Sequence, residues 1–243
     1  MRFLSSVRVT LAALAFAPVA LDAQGPDSTM AAAVDRQMSG GPFNHPAHIE
    51  HTPIRPATRD DSLRARAVVD SVRKALAAYK DIEKAKRDGF QIFAPEVRGQ
   101  KVFHFNNYAW AMANEVNFDP AKPSSLLYER TASGRWKLVG VMYTANSESS
   151  LEELDRRVPL GIARWHRHVN FCVPASGGRE RWNEKRNGVP IFGPMGVATR
   201  GECEALGGRF IPRVFGWMVH ASAFAGDDPK VIWGDHAQSG HEH

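Results

Sequence analysis

Trp165-His166-Arg167-His168-Val169-Asn170-Phe171-Cys172 is the stretch whose conformation decides how this chain is put together. Read as a β-strand, it sends successive side chains to opposite faces. His166, His168, Asn170 and Cys172 then share one face, and Trp165, Arg167, Val169 and Phe171 the other. Two imidazoles at i, i+2 on one face can reach a single metal ion, because neutral His nitrogen is a common metal ligand. Val102-Phe103-His104-Phe105-Asn106 and Gly216-Trp217-Met218-Val219-His220 have the same character, each setting one His among large apolar residues.

Working outward, the pattern predicts an α+β fold. A mostly antiparallel sheet, or a small barrel or sandwich, packs against one long N-terminal helix. That helix is expected over residues 59–88. Thr58 and Asp61 form a capping box, Leu63, Ala67, Val68, Val72, Leu76, Tyr79, Ile82 and Ala85 make an apolar stripe, and Gly89 stops it. Tyr79 on that stripe reads as core. Phe90–Phe93, Lys101–Tyr108, Ser125–Arg130 and Trp136–Tyr143 read as strands, the last two as a hairpin around Ala132-Ser133-Gly134. Trp110–Asn117 is ambiguous. Ser150–Arg157 reads as a short helix. Residues 173–198 form a long Gly/Pro-rich connection, of the kind that is either a functional lid or structureless. Thr199 and Glu202 suggest a second capping box, before a short helix that carries Cys203. Phe210–Phe224 reads as a strand pair broken at Pro212 or Gly216.

Length and composition bound the rest. The 243 residues, 43% of them hydrophobic, are enough for one sizeable domain, placed at residues 58–235. Residues 1–23 have the pattern of a secretory signal peptide: Arg2 and Arg8, an apolar run from Val9 to Leu21, and Ala23 at the cut. That run is too short for a retained span, and no other run is long enough. The chain is therefore expected to be exported, periplasmic or secreted, with no membrane span. Cleavage leaves an excess of about four positive charges, spread out and without aromatic interleaving, which argues against nucleic acid. Residues 24–57 read as an irregular leader, rich in Gly, Pro, Ser and Ala. Its His45, His48 and His51 form either a loose metal-scavenging tract or a flexible polar arm. Residues 236–243 read as a flexible tail containing His236, His241 and His243.

Cys172 and Cys203 are the only cysteines, and an even count in an exported chain predicts a disulfide. The rival assignment makes Cys172 a thiolate ligand beside His168.

The chain has no Gly-x-Ser-x-Gly elbow, Walker A loop, Gly-x-Gly-x-x-Gly, His-Glu-x-x-His or Cys-x-x-Cys. The candidate site is therefore His104, His166, His168 and His220, a set suited to Zn or Cu and acceptable to Fe. Three ligands with an open position would make a catalytic centre, and four a closed one. Glu129, at the end of an apolar strand, is the candidate added ligand or general base, with Glu115 behind it. Asn106 and Asn170, at i+2 from His104 and His168, are candidate partners that orient the rings. Each His taken singly reads as a satisfied core residue. The three His-bearing apolar strands together point to a shared site. Two functions fit: a metal-binding protein or metal-dependent enzyme of the cell envelope, or a non-enzymatic module whose His and aromatic residues line a small-ligand cleft.

Several stretches carry a resemblance: Tyr79–Ala85 with Asp88-Gly89-Phe90, His104-Phe105-Asn106, Leu126-Leu127-Tyr128-Glu129, Leu138–Tyr143, Trp165–His168 with Asn170 and Cys172, and Gly216–His220. Together they resemble an uncharacterised family of exported bacterial proteins, over about residues 60–235. The resemblance implies export and brings no activity with it. Gly161 followed by the His166/His168 pair is also similar to the metal-binding strand of cupins. Cupins place a Glu shortly after the pair, where this chain has Val169, Asn170, Phe171 and Cys172.

Overall fold

The centre of the molecule is a mostly antiparallel sheet whose two faces bury different chemistry. The computed structural model describes residues 47–53, 55–93, 95, 102–193 and 195–234. The expected signal peptide, nearly all of the leader including His45, and the tail at 236–243 lie outside these residues.

The sheet contains β1 (Ile49–His51), β2 (Gln91–Ile92), β3 (Val102–Asn106), β4 (Ser125–Arg130), β5 (Trp136–Ala145), β6 (His166–Pro174), β9 (Gly208–Arg213) and β10 (Trp217–Ala221). Its order is β1-β6-β10-β5-β4-β3-β2, with β9 pairing with β6. Two short strands, β7 (Lys185–Arg186) and β8 (Val189–Pro190), pair separately. The helices are α1 (Arg59–Leu76), α2 (Ile82–Arg87), α3 (Tyr108–Val116), α4 (Leu151–Arg157), α5 (Arg200–Ala205) and α6 (Pro229–Trp233).

One face of the sheet carries the main core. Phe105, Leu126, Tyr128, Val141, Tyr143 and Val219 from the strands meet Val69, Val72 and Leu76 of α1, Leu154 of α4 and Trp233 of α6. Alternation explains why these residues face one way. On β10, Trp217, Val219 and Ala221 enter this core, leaving Met218 and His220 for the other face.

α1 begins as its sequence predicts. The Thr58 hydroxyl accepts from Asp61 N–H, and the Asp61 carboxylate accepts from Thr58 N–H. Asp61 does more than cap. Its side chain, only 2% exposed, lies between the guanidinium groups of Arg55 and Arg64. Both arginines also reach Asp155 on α4. Arg55, closest in effect, and Thr58 hold the Asp61 carboxyl far below the usual range. Burial works against ionisation of Asp155, but its hydrogen bonds with Arg55 and Arg64 prevail and lower it. This cluster ties the residues before α1 to two helices.

The long helix departs from expectation in two ways. Its buried stripe is Ala65, Val68, Val69, Val72 and Leu76, so Leu63 at 59% exposure and Ala67 face solvent. It also does not run unbroken to residue 88. A 3-10 turn spans Ala77–Lys80, and Asp81 starts α2 afresh by accepting from Glu83 N–H. The break falls where the Tyr79 ring packs edge-on against Phe90 and Trp110 and its carbonyl accepts from the Tyr128 hydroxyl. Burial, with Asp88 as acceptor, pushes the Tyr79 hydroxyl up to about 12, as suits a core residue.

Other expectations are corrected as well. The segment 108–116 is a helix, capped by Asn107. Thr199 makes no side-chain cap bond to α5, so the second capping box does not form. The leader boundary at 57 is too late, because Ile49–His51 pairs with β6 and is part of the sheet. The helix is therefore preceded by a strand.

Cys172 and Cys203 are bonded to each other, which excludes Cys172 as a free thiolate. Ile191 and Phe192 pack around the bridge, with Trp182, Val197 and Leu206 against them. Gly208 lies directly under it. A Cβ there would sit 2.4 Å and 2.7 Å from the two sulfurs. The Gly/Pro-rich connection is thus folded down by the bridge, and Arg181 donates to the carbonyls of Ser176, Leu206 and Gly207.

Candidate functional site

The second face of the sheet is where the histidines gather. Met218 is opposite His166 on β6 and opposite Thr144 on β5, and His220 is opposite Met142. Residues directly opposite in antiparallel strands share a face. His166, Met218, Met142 and His220 therefore lie together, and His168 joins them by alternation along β6. On β3, Phe103 and Phe105 turn to the main core, so His104 turns to this face as well. Leu127, Val139, Met142 and Met218 form its apolar floor, with Val102 and Phe215 against it. His166, His168 and His220 are buried, at 5%, 3% and 8% exposure. His104 is half-buried.

His104 and His220 bring their Nε2 atoms to 3.3 Å. The His220 ring lies 5.3 Å from that of His166, and the His166 ring 5.9 Å from that of His168, centroid to centroid. The four predicted histidines are thus neighbours in a chain of rings. They do not all converge on one point: among the described residues, no three His, Cys, Asp or Glu side chains are placed to hold one ion. The His168 ring also contacts Phe171 and Phe215.

The closeness of His104 and His220 needs an explanation, since β4 and β5 lie between their strands. Three strand spacings of about 4.8 Å make roughly 14 Å on a flat sheet, more than two imidazoles comfortably bridge. The sheet curls toward this face. The register slips between β4 and β5 at Leu127/Tyr128, and such a bulge bends a strand and raises its twist. Gly140 lies opposite Leu127 at the slip, where a Cβ would sit 2.4 Å from the carbonyl oxygen of Ala221. Only glycine lets β10 close in there.

The remaining predicted residues fare differently. Asn170 has φ 61°, a left-handed conformation that Asn tolerates better than most residues. It breaks the alternation of β6, so Phe171 touches the His168 ring and Asn170 and Cys172 do not continue the His face. The Asn170 amide donates to the carbonyl of Ala47 rather than to a ring nitrogen. Asn106 shares the His104 face, but its amide oxygen accepts from Ser125. Glu129 is opposite Val102, two residues along β3 from His104, so it stands at the edge of the His face. Glu115 is exposed on α3. The Arg167 guanidinium points the other way, over the Trp217 ring and onto the Glu50 carboxylate.

Sequence reasoning did not place His51, Met142 or Met218 on this face. His51 is opposite His166, with ring centroids 6.0 Å apart. His48, nearby at the end of the arm, is buried, with its Nε2 2.9 Å from the Gly196 carbonyl oxygen. The His48/His51 spacing was visible, but nothing local shows that the arm is held by the edge of β6. Met142 and Met218 were hidden because methionine in an apolar strand reads as filler.

Comparison with protein-family models, with curated proteins and with solved structures finds no match to this chain.

Proposed function

We propose that this is an exported metal-binding protein, and that its His-lined sheet face takes up a transition-metal ion with His104 and His220 as the first two ligands. The observation that carries this reading is the 3.3 Å separation of their Nε2 atoms. Two nitrogens bound tetrahedrally to zinc at about 2.0–2.1 Å stand about 3.3–3.4 Å apart. The two rings keep this spacing through a hydrogen bond between their Nε2 atoms. The pair is held on two strands of one curled sheet, so its spacing is set by the scaffold and not by flexible loops. His166 offers a further imidazole, its ring 5.3 Å from that of His220. Export rests on the N-terminal pattern and agrees with a disulfide, which persists in oxidising compartments.

Metal analysis of untagged protein, after loading with zinc, copper or iron and desalting, tests this. About one ion per chain is expected, and a His104→Ala/His220→Ala variant that keeps its circular dichroism should lose it. Wild-type protein that retains none of the three ions would overturn the proposal, as would full retention by the double variant.

A further inference from the structure

The two methionines on the His face stand in register with the histidines. Met142 is directly opposite His220, and Met218 directly opposite His166. Directly opposed residues have Cβ atoms about 4.5–5.5 Å apart. Each thioether is therefore tethered within reach of an imidazole, on an unbranched chain with three rotatable bonds. Both residues are 8% exposed, so their sulfurs compete with little solvent.

We infer that the site prefers copper in its monovalent state, bound between the His104–His220 pair and the thioethers of Met142 and Met218; this rests on the metal-binding reading above. Two physical arguments lead there. The first is ligand softness: thioether sulfur selects Cu(I), while zinc and iron gain little from it. The second is charge. Imidazole and thioether are neutral, so an ion held by them keeps its whole charge among Leu127, Val139 and Phe215. The cost of taking an ion from water into such surroundings grows with the square of its charge, which favours a monovalent ion over a divalent one. Zinc or iron in the same place would have to rely on imidazole alone. Glu129 stands at the edge of the face, and both cysteines are in the disulfide.

Methionine in a strand core is commonly a gap-filler. What sets these two apart is position, since each sits across from a histidine on the polar-lined face and neither enters the main core.

The test is a Met142→Leu/Met218→Leu variant, a volume-conserving change that should cost less than about 1.5 kcal/mol per site and leave the fold intact. Wild type and variant are titrated with Cu(I) under anaerobic ascorbate, against a chromogenic Cu(I) chelator, and separately with Zn²⁺. Removal of the thioethers is expected to weaken Cu(I) binding at least tenfold and to leave Zn²⁺ binding unchanged. X-ray absorption of the Cu(I)-loaded wild type should show sulfur in the first coordination shell. Equal Cu(I) affinity in wild type and variant, or a nitrogen-only shell, would overturn the copper inference and leave the His104–His220 site standing. Absence of both Cu(I) and Zn²⁺ binding in the wild type would remove the metal reading itself, and this inference with it.

Discussion

His104 on β3 and His220 on β10 bring their Nε2 atoms to 3.3 Å across two intervening strands. Between their strands Gly140, with no Cβ, admits the Ala221 carbonyl of β10. Gly140→Ala should therefore destabilise the protein by about 1–3 kcal/mol, the usual cost of forcing an extra methyl into a packed position. The denaturation midpoint reports this directly. A midpoint equal to wild type would mean that the sheet can relax there and that its curl does not hang on Gly140.

The Asp61 cluster makes the fold sensitive to acid. In the folded chain Arg55 and Thr58 hold the Asp61 carboxyl below its ordinary value of 3.8, and Asp155 is lowered as well. The unfolded chain therefore binds protons more readily, and stability rises with pH through the acid range. The contribution is complete above the ordinary carboxylate value and is lost as pH falls below about 4 through the folded-state values. Asp61→Asn should lower stability at pH 7 and flatten the decline on acidification. Thr58→Ala, which removes the hydroxyl but leaves the residue 58 N–H and both arginines on Asp61, should cost about 0.5–2 kcal/mol and keep most of the decline on acidification. Denaturant titrations at pH 7 and pH 3 on the three proteins check this, and parallel pH profiles for wild type and Asp61→Asn would count against it.

The Cys172–Cys203 bridge joins residues 31 positions apart. Closing a loop of that length contributes about 3–4 kcal/mol in the chain-entropy model. Reduction, or a Cys172→Ser/Cys203→Ser variant, should lower the melting temperature by roughly 10 °C for a domain of this size. Differential scanning calorimetry with and without reductant decides it. An unchanged transition would show that Arg181 and the packing around Phe192 hold the connection without the bridge.

Asn170, with its positive φ, should accept glycine but not a β-branched residue. Asn170→Gly is expected to stay within about 1 kcal/mol of wild type, with part of any loss coming from the bond to Ala47. Asn170→Val should cost about 1–3 kcal/mol, because a branched side chain is strained in the left-handed region. Comparable unfolding curves for the two variants would show that β6 straightens at no cost.

Much of this protein was determined locally, in its sequence. The Thr58/Asp61 box starts α1 because two short side chains three residues apart can satisfy each other's N–H groups with no outside help. The hairpin from Ser125 to Ala145, the helix at Leu151–Arg157 and the strand from His166 follow from alternation, capping and turn chemistry over a few residues. Alternation alone put His166 and His168 on one side. The single pair of cysteines, in a chain with an export-like N-terminus, pointed to the bridge.

Tertiary structure decided what no local pattern carries. Pairing with the edge of β6 drew Ile49–His51 out of an apparently irregular arm and set His51 opposite His166. The left-handed Asn170 ended the alternation that the sequence implied, because backbone conformation at one residue re-aims every side chain after it. Above all, the strand order placed β10 between β6 and β5 and set Met142 and Met218 opposite His220 and His166. Strand order and register depend on which distant surfaces bury each other best, and that is a property of the whole sheet. The same is true of the curl over Gly140 that brings His104 to His220.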